Sequence, residues 1–523
     1  MTSDNITALA ATETMPAIVV NDRPLRDVSA DALVALYESN DPPVIFARGD
    51  VLVRVQRNAD GTGRVVPLGE DHLRGHLTRS ADFVRAVRRG QSTVDIQVSP
   101  PRDVVRDLLT AEGLAFPHLQ GLVSSPVVRP NGSILEKPGF DVATGLYYLP
   151  PVGFSVPAIP ARPNTDEVAA ALSRLTEVFG DFPYADEASR ANAMALLLTP
   201  VVRPMISGPT PLGLVDSPQA GTGKGLHVEV ASIIATGSTA AVTTAPRSDD
   251  EWRKRITSLL LSGQPVVLVD NIEGTLHSPS LAAAITAPVW QDRYLGQNRQ
   301  VTLPVRVAWL ATGNNIRLGG DLARRCYWVR LDARSAQPWR RTGFRYPDLV
   351  GHVRQCRPQL VADLLTLVQA WVADGQPGAS ILPLGSFQEW GRIVEGILGV
   401  AGVNGFLGNL DRMYDVADVE TGAWTAFLEA WWDYFGGQEV TAAGVIEATA
   451  LEQPGLVRLR NALPEEVADA RPERRSRALG TALASREERR YGASGLRVTR
   501  TGTQHRAVCW KVVVNEVVSP VSP

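Results

Sequence analysis

The sequence predicts an α/β protein whose central domain contains a parallel sheet buried on both faces. Three observations lead to this prediction: apolar runs of strand length at Leu212–Val215, Val266–Val269 and Val305–Ala311, each ending in polar or glycine residues. Short apolar runs of this kind are typical of strands covered on both sides. Since parallel sheets bind ligands at the carboxyl ends of their strands, the polar ends predict a ligand site.

A glycine-rich loop follows the first run and leads into an apolar segment of helix length, Leu226–Ala235. The loop consists of Pro218, Gln219, Ala220, Gly221, Thr222, Gly223, Lys224 and Gly225. Its glycines let backbone N–H groups turn inward around a phosphate, the helix adds its positive end, and Lys224 adds a mobile charge. Pro218 stands where a P-loop has its first glycine, and Gly225 stands where a Ser or Thr would hold Mg²⁺. The alternative is an ordinary glycine-rich turn with an exposed lysine.

A carboxylate ends the second run, at Asp270. In that position it can orient the waters around a nucleotide-bound metal ion. Asn271 follows where a second acid would position the attacking water, and Glu273 is the nearest substitute. The alternative for Asp270 is a helix cap.

Polar and basic residues follow the third run. Asn314 can reach the γ-phosphate or the attacking water from the neighbouring strand; the alternative is a turn, which Gly-Asn-Asn favours. Arg324 and Arg325 come next, and an arginine supplied by a neighbouring subunit can stabilise transition-state charge. A solvated basic turn is the alternative for this pair.

Together these motifs resemble those of the AAA+ ATPases, and within them the superfamily 3 helicases of viral, phage and plasmid replication proteins. The resemblance covers Phe179–Asp332 with specific motifs. It implies that Lys224 is the P-loop lysine, Asp270 the metal-orienting Walker B acid, Asn314 the sensor, and Arg324 or Arg325 the arginine finger.

The same resemblance implies ATP and Mg²⁺ as cofactors, a homo-oligomeric ring, expected to be a hexamer, and single-stranded DNA in its pore. A DNA-contacting hairpin is expected at Trp290–Arg299, with Arg293 and Arg299 on phosphates. The predicted function is an ATP-dependent DNA helicase or translocase in the replication of a mobile element. Two alternatives stay open: a slowly hydrolysing DNA-binding initiator or switch, which Gly225 and Asn271 favour, and a protein-remodelling or defence ATPase.

The flanking regions predict further domains. A small N-terminal α+β domain is expected to have helices at Ser29–Glu38 and Ser80–Arg89 and strands at Val51–Val55 and Val94–Val98. The predicted order is disorder over 1–16, this α+β domain over 17–156, a helical lead-in over 164–205, the AAA+ P-loop core over 206–335, a helical region with a lid over 336–440, and a winged helix over 441–523.

The tail carries a concentration of positive charge. Residues 471–500 hold nine arginines against three acids. A predicted helix, Arg474–Ala484, precedes two alternating segments, Leu496–Arg500 and Ala507–Val514. A helix followed by a two-stranded wing is typical of winged helices that bind duplex DNA. Phosphate contacts are expected from Arg475, Arg477 and Arg506; a protein-docking domain is the alternative.

Composition and charge argue against several classes of protein. The chain has 523 residues, enough for three or four domains, and a net charge of −3, which excludes coating of nucleic acid by bulk charge. Cys326, Cys356 and Cys509 are isolated, so a zinc site or disulfide framework is not expected. With no apolar run near the roughly 18 residues of a membrane span, a cytoplasmic protein without a membrane partner is predicted.

Overall fold

The computed structural model describes residues 15–58, 61–293, 300–378, 384–417, 419–504 and 507–514. The predicted disorder over 1–16 therefore falls almost entirely outside the described residues. The chain divides into two compact units. The first comprises Met1–Ile272, Ser278–Asn314 and Arg325–Gly408, and the second comprises Glu273–His277, Asn315–Arg324 and Asn409–Pro523.

The N-terminal part of the first unit is a small α+β arrangement with three three-stranded sheets and one two-stranded sheet. Its elements are β1 (Ala17–Val19), α1 (Leu25–Glu38), β2 (Phe46–Arg48), β3 (Val51–Arg57), β4 (Gly63–Pro67), α2 (Glu70–Ser80), β5 (Asp82–Arg89), β6 (Ser92–Gln97), α3 (Arg102–Thr110), β7 (Gly121–Val123), β8 (Val127–Val128), β9 (Ile134–Leu135), β10 (Gly139–Asp141) and β11 (Leu146–Tyr148). The three-stranded sheets have the orders β1-β5-β6, β2-β3-β4 and β10-β11-β7. Helices α1 to α3 pack on a shared apolar core with strands β1 and β5.

One predicted element here is wrong. The helix expected over Ser80–Arg89 is strand β5, while the helix α2 ends at Ser80. Phe83 and Val87 are four residues apart, so the segment fits a helical spacing as well as a strand. The segment is a strand because it pairs in parallel with β1 and antiparallel with β6. Gly90, with φ of +64°, lies in the turn between β5 and β6.

The central part of the first unit is built around the expected buried parallel sheet. Two helices, α4 (Thr165–Val178) and α5 (Glu187–Val202), precede it. In chain order the elements that follow are β12 (Leu212–Ser217), α6 (Lys224–Thr236), β13 (Ala241–Thr244), α7 (Asp249–Ser262), β14 (Val266–Ile272), β15 (Thr275–Leu276), α8 (Pro279–Thr286), β16 (Val289–Arg293), β17 (Gln300–Pro304), β18 (Ala308–Asn314), β19 (Arg317–Leu318), β20 (Cys326–Arg330), α9 (Leu349–Ala373) and α10 (Gln388–Val400). Of these, β15 and β19 belong to the second unit.

Five of these strands form the parallel sheet, in the order β13-β14-β18-β12-β20. Every residue of β12 is buried, as are the first four of β14 and the first six of β18. Burial on both faces explains why these strands read as unbroken apolar runs. Their common direction places the ends of β12, β14, β18 and β20 along one edge.

The second unit contains the short parallel pair β15–β19 and the C-terminal elements. These are α11 (Leu410–Ala417), α12 (Val419–Phe435), β21 (Val440–Thr441), α13 (Ala442–Thr449), α14 (Pro454–Asn461), α15 (Glu465–Ala468), α16 (Arg475–Ala484), β22 (Arg490–Tyr491), β23 (Leu496–Gln504) and β24 (Ala507–Val513). The sheet order is β21-β24-β23-β22, and the helices cover one apolar core with it. Helices α11 and α12, expected in the helical region 336–440, belong to this unit.

Two tryptophans of α12 differ in their environment: Trp431 is fully buried in that core, whereas Trp432 is exposed.

Within the described ranges, no helix has both the length and the apolar character needed to cross a membrane.

Candidate nucleotide site

The glycine-rich loop connects the end of β12 to the start of α6. Gly221 and Gly223 have φ of +77° and +95°, which other residues rarely adopt. A Cβ at Gly221 would lie 3.0 Å from Trp339, and one at Gly223 would lie 3.2 Å from Phe182. The loop thus needs glycine for its conformation and for its close packing. Helix α6 begins at Lys224, so its first backbone N–H groups, which lack intrahelical partners, belong to this loop.

One side chain of the loop holds an unsatisfied polar atom. Thr222 is 4% exposed, and its Oγ1 has no hydrogen-bond partner among the described residues. A buried hydroxyl without a partner costs free energy, and such atoms concentrate where a ligand completes the site.

The lysine of the loop reaches the neighbouring strand end. Lys224 Nζ donates to Asn314 Oδ1 at 2.7 Å and to the carbonyl oxygen of Gln219 at 3.3 Å. Burial lowers the pKa of Lys224, with Arg330 acting in the same direction, whereas Asp216 and Asp270 raise it. Three residues singled out from the sequence, Lys224, Asn314 and Asp270, therefore meet at one edge of the sheet.

Asp270 is held in place by a threonine that the sequence analysis missed. Its Oδ1 accepts a hydrogen bond from Thr312 Oγ1, which itself accepts one from the backbone N–H of Asn271 at 3.0 Å. Asn271 has φ of +51°, and the pairing of β14 with β18 shifts register between Val269 and Ile272. Asparagine tolerates this left-handed conformation better than most residues. The irregularity turns the Asn271 side chain to solvent while Asp270 stays half-buried.

A buried ion pair lies beside Lys224, and the sequence analysis missed it too. Arg330 Nη1 donates to Asp216 Oδ2, and the two side chains are 12% and 3% exposed. Both residues lie at strand ends, Asp216 in β12 and Arg330 in β20, where they are register partners. The guanidinium also lies over the ring of Trp328, 5.1 Å from its centroid. The feature of the sequence that could have indicated this pair is the position of both residues at the ends of apolar runs.

An aromatic cleft of about 360 Å³ opens next to the loop. Gly221, Thr222 and Gly223 form one wall. The remaining walls are largely apolar and aromatic, and they include Phe182, Leu226, Trp339, Phe344, Tyr346, Leu349 and Val350. Trp339 and Phe344 are exposed, at 62% and 44%, and the guanidinium of Arg341 lies over the Phe344 ring, 5.3 Å from its centroid. This cleft could not be predicted from the sequence, because its residues come from segments far apart in the chain.

The other expected catalytic residues are distributed between the units. Arg325, in the first unit, donates to the carbonyl oxygen of Ala282 and to Thr286 Oγ1. Arg324 belongs to the second unit, where it pairs with Asp321 at 2.5 Å and its side chain is 80% exposed. Glu273 also belongs to the second unit and is exposed.

The stretch Trp290–Arg299 was expected to form a DNA-contacting hairpin, and its described part is one side of the paired base of a hairpin. Strands β16 and β17 pair antiparallel, with Arg293 opposite Gln300 and exposed. Arg299 lies outside the described residues. The base is anchored on α7, since Asp292 accepts from Arg253 at 2.7 Å and from Thr257 Oγ1 at 3.1 Å.

The expected basic residues of the tail separate into two kinds. Arg475 donates to the carbonyl oxygens of Ala468 and Ala470, at 2.9 and 3.2 Å, and so fastens the chain before α16. Arg477 is exposed on α16. Arg506 lies outside the described residues.

The site contains few candidate metal ligands. Within the described ranges, no group of three or more His, Cys, Asp or Glu side chains is placed to hold a metal ion. Mg²⁺ at nucleotide sites keeps several waters and binds one or two carboxylates together with phosphate oxygens. Asp270, a positioned strand-end carboxylate, fits that requirement.

Comparison with known proteins gives distant similarities. No family model matches the chain, and no curated protein matches it. Solved structures that resemble it include the NrS-1 C-terminal region in an apo form, at 13% identity and a TM-score of 0.35, covering 83% of this chain and 94% of that one. JCV helicase matches at 12% identity and 0.23, covering 48% and 73%. Cch of SCCmec type IV, titled an active helicase, matches at 11% and 0.30, covering 74% and 76%.

Proposed function

We propose that this chain is an ATPase that binds its nucleotide at the carboxyl edge of the parallel sheet. The observation that carries the proposal is the meeting of Lys224 with Asn314, Asp270 and the Asp216–Arg330 pair at the end of the glycine loop. A mobile cation, a positioned carboxylate and a polar strand end around one loop are what phosphoryl transfer requires.

Each residue has a definite task in this proposal. The N–H groups of the loop and of the first turn of α6 bind the phosphates, and Lys224 exchanges Asn314 and Gln219 for phosphate oxygens. Asp270, fixed by Thr312, would hold the waters of a bound metal ion. Asn314, released by Lys224, is then free to bind the γ-phosphate or the attacking water. When bound, Mg²⁺ neutralises charge that develops on the phosphates.

The aromatic cleft supplies a place for the base. It shares Gly221–Gly223 with the phosphate loop, so a base in the cleft and phosphates in the loop belong to one ligand. Aromatic rings such as Trp339 and Phe344 bind flat heteroaromatic rings by stacking. This geometry supports a nucleoside triphosphate rather than free phosphate as the substrate.

The wider proposal is a ring-forming DNA helicase or translocase that serves the replication of a mobile element. Arg324, 80% exposed and paired with Asp321 at the surface, suits a finger supplied to a neighbouring subunit, whereas Arg325 is half-buried and bonded to Ala282 and Thr286. The β16–β17 hairpin is held on α7 through Asp292, and it is the element proposed to contact single-stranded DNA, with Arg293. The C-terminal unit, proposed as a winged helix, carries the arginine-rich stretch 471–500 and suits duplex DNA through Arg477.

The test is ATP hydrolysis with and without single-stranded DNA, followed by unwinding of a forked duplex. Lys224→Ala should abolish turnover and leave the circular dichroism spectrum unchanged. Lys137→Ala, which removes an exposed lysine of the same unit, is the control and should hydrolyse ATP normally. Equal turnover in the two variants would exclude the proposed site.

A second candidate function is a DNA-binding switch that hydrolyses ATP slowly and does not separate strands. It is favoured by Gly225, which offers no hydroxyl to a metal ion at the start of α6, and by Asn271, whose side chain is neutral and turned to solvent. ATP turnover without unwinding of the fork would select this candidate over the helicase.

A further inference from the structure

A second cavity in the first unit is rich in buried cations. It has a volume of about 170 Å³ and lies between the N-terminal α+β part and the amino ends of β14 and β18. Its walls include Arg48, Arg203 and Arg306, together with apolar residues such as Pro265 and Val307. The glycine loop follows the opposite, carboxyl ends of the same sheet, so the two sites are separate.

Arg48 is held firmly by backbone groups. It is 3% exposed and donates to the carbonyl oxygens of Leu119, Gln120 and Leu260 at 3.0, 2.8 and 2.7 Å. Burial lowers the pKa of Arg48 to about 10, so it stays protonated at neutral pH.

Arg203 and Arg306 converge on a single acceptor. Both donate to the carbonyl oxygen of Ile206, at 2.6 and 3.0 Å, so two positive groups lie side by side. Arg203 is 8% exposed and makes one further bond, to the carbonyl oxygen of Val305 at 3.1 Å. Burial lowers the pKa of Arg203 to about 9, with Arg306 adding to the effect, and it too stays charged.

The three charges lack an anionic partner in the described part of the chain, where no carboxylate forms an ion pair with any of them. Glu389 is the carboxylate that acts on Arg203 and Arg306 from a distance. Its oxygens instead accept from Ser207 Oγ at 2.8 Å and from the N–H of Gly208 at 2.9 Å. The Nε atoms of Arg48 and Arg203 have no acceptor among the described residues.

Buried charges in proteins are normally paired, because an unpaired charge is expensive to desolvate. Carbonyl groups compensate part of that cost here, but they leave several guanidinium N–H groups without an acceptor. They also carry no negative charge to balance the three cations, and Glu389 acts on two of these only from a distance. Arginine forks match the oxygens of phosphate groups better than any other side chain.

We propose that this cavity binds a phosphate group, delivered either by inorganic phosphate or by the phosphates of a nucleotide. The bound anion would join the N-terminal α+β part, through Arg48, to the end of α5, through Arg203, and to the start of β18, through Arg306. The cavity is therefore an anion site distinct from the glycine loop, and the inference does not depend on ATP hydrolysis there.

The experiment is equilibrium dialysis of the full chain against labelled inorganic phosphate, and separately against labelled ADP, in a Lys224→Ala background that disables the loop site. One phosphate group per chain should still bind. Arg306→Gln in that background should weaken binding about tenfold or more, the loss expected for a hydrogen bond to a charged group. Arg85→Gln, which removes an exposed arginine of β5, should leave binding unchanged.

A second measurement needs no substitution in the cavity. In the Lys224→Ala protein, phosphate should slow hydrogen exchange of the lining segments 119–123 and 304–307 and leave α16 unaffected. Binding of phosphate with no binding of ADP identifies the free ion as the ligand, and binding of both identifies the phosphate group in either form. The proposal is overturned if the Lys224→Ala protein binds neither, if Arg306→Gln and Arg85→Gln bind equally, or if those segments exchange at unchanged rates.

Discussion

Replacing Gly225 with serine tests where the metal ion of the proposed ATP site lies. Gly225 is the second residue of α6, and a Cβ built there meets no atom within 4 Å. Its backbone does not have positive φ, so a side chain introduces no strain. The substitution should stabilise the helix slightly, by about 0.5 kcal/mol, because serine is a better helix former than glycine.

The functional effect should be larger than the structural one. A serine in this position would offer its hydroxyl to a Mg²⁺ ion that Asp270 and the phosphates would hold. Replacing a residue that hydrogen-bonds to a metal ligand costs about 10- to 100-fold in metal affinity or activity, and the lower figure is taken for a hydroxyl placed at the ion. Gly225→Ser should therefore reach half-maximal ATP turnover at about tenfold lower Mg²⁺ concentration, or lower still.

Gly225→Ala is the matched control, since it adds a Cβ and about 1 kcal/mol of helix propensity but no oxygen. The assay is steady-state ATP hydrolysis over a Mg²⁺ titration for the two variants and the parent. If the serine and alanine variants require the same Mg²⁺ concentration, the ion does not lie at the start of α6, and the roles assigned to Asp270 and the loop lose their basis.

Three further outcomes are expected. Burial lowers the pKa of His227 from 6.5 to about 3. Between these pH values the unfolded chain takes up a proton that the folded chain does not, so the free energy of unfolding falls as pH falls from 6.5 toward 3. The urea-unfolding free energy should drop by about 2 kcal/mol between pH 7 and pH 5 through this residue, and His227→Gln should lose that share of the drop. Arg324→Ala should reduce turnover and be rescued in mixed rings with a Lys224→Ala partner, while Arg325→Ala should mainly lower the melting temperature. Arg477→Gln should reduce the salt slope of DNA binding by about one unit, measured by fluorescence anisotropy; an unchanged slope would remove Arg477 from the DNA surface, with Arg475→Gln as the variant expected to destabilise α16 instead.

The sequence allowed the strands that carry the site to be predicted, and the reason is physical. Strands β12, β14 and β18 are covered on both faces, so they appear as apolar runs whose polar ends stand out. Asp270 and Asn314 mark two of those ends, and Lys224 follows the third through the glycine loop. These residues were found because local sequence alone fixes their place relative to the edge of a sheet.

Strand β5 and the aromatic cleft could not be predicted in that way. The spacing of Phe83 and Val87 fits a helix and a strand alike, and pairing with β1, more than 60 residues earlier in the chain, decides between them. The cleft combines Phe182 with Trp339 and Phe344, which lie on either side of the whole sheet in sequence. Contacts between such distant segments depend on topology, which apolar periodicity does not encode.

The pair Asp216–Arg330 shows why strand order matters to the chemistry. β12 lies between β18 and β20 although both follow it by more than 90 residues, and this order makes Asp216 the register partner of Arg330 and Ser217 that of Asn314. Two carboxylates therefore act on Lys224 in different states. Asp216 is paired with Arg330, whereas Asp270 is oriented by a hydrogen bond from Thr312. Had Asp216 lacked Arg330, it would compete with phosphate for Lys224, because a carboxylate is a far stronger acceptor than the Asn314 amide that Lys224 now contacts. The ion pair thus leaves Lys224 hydrogen-bonded to the neutral amide of Asn314. This weak partner can be replaced by the phosphate oxygens of an arriving triphosphate.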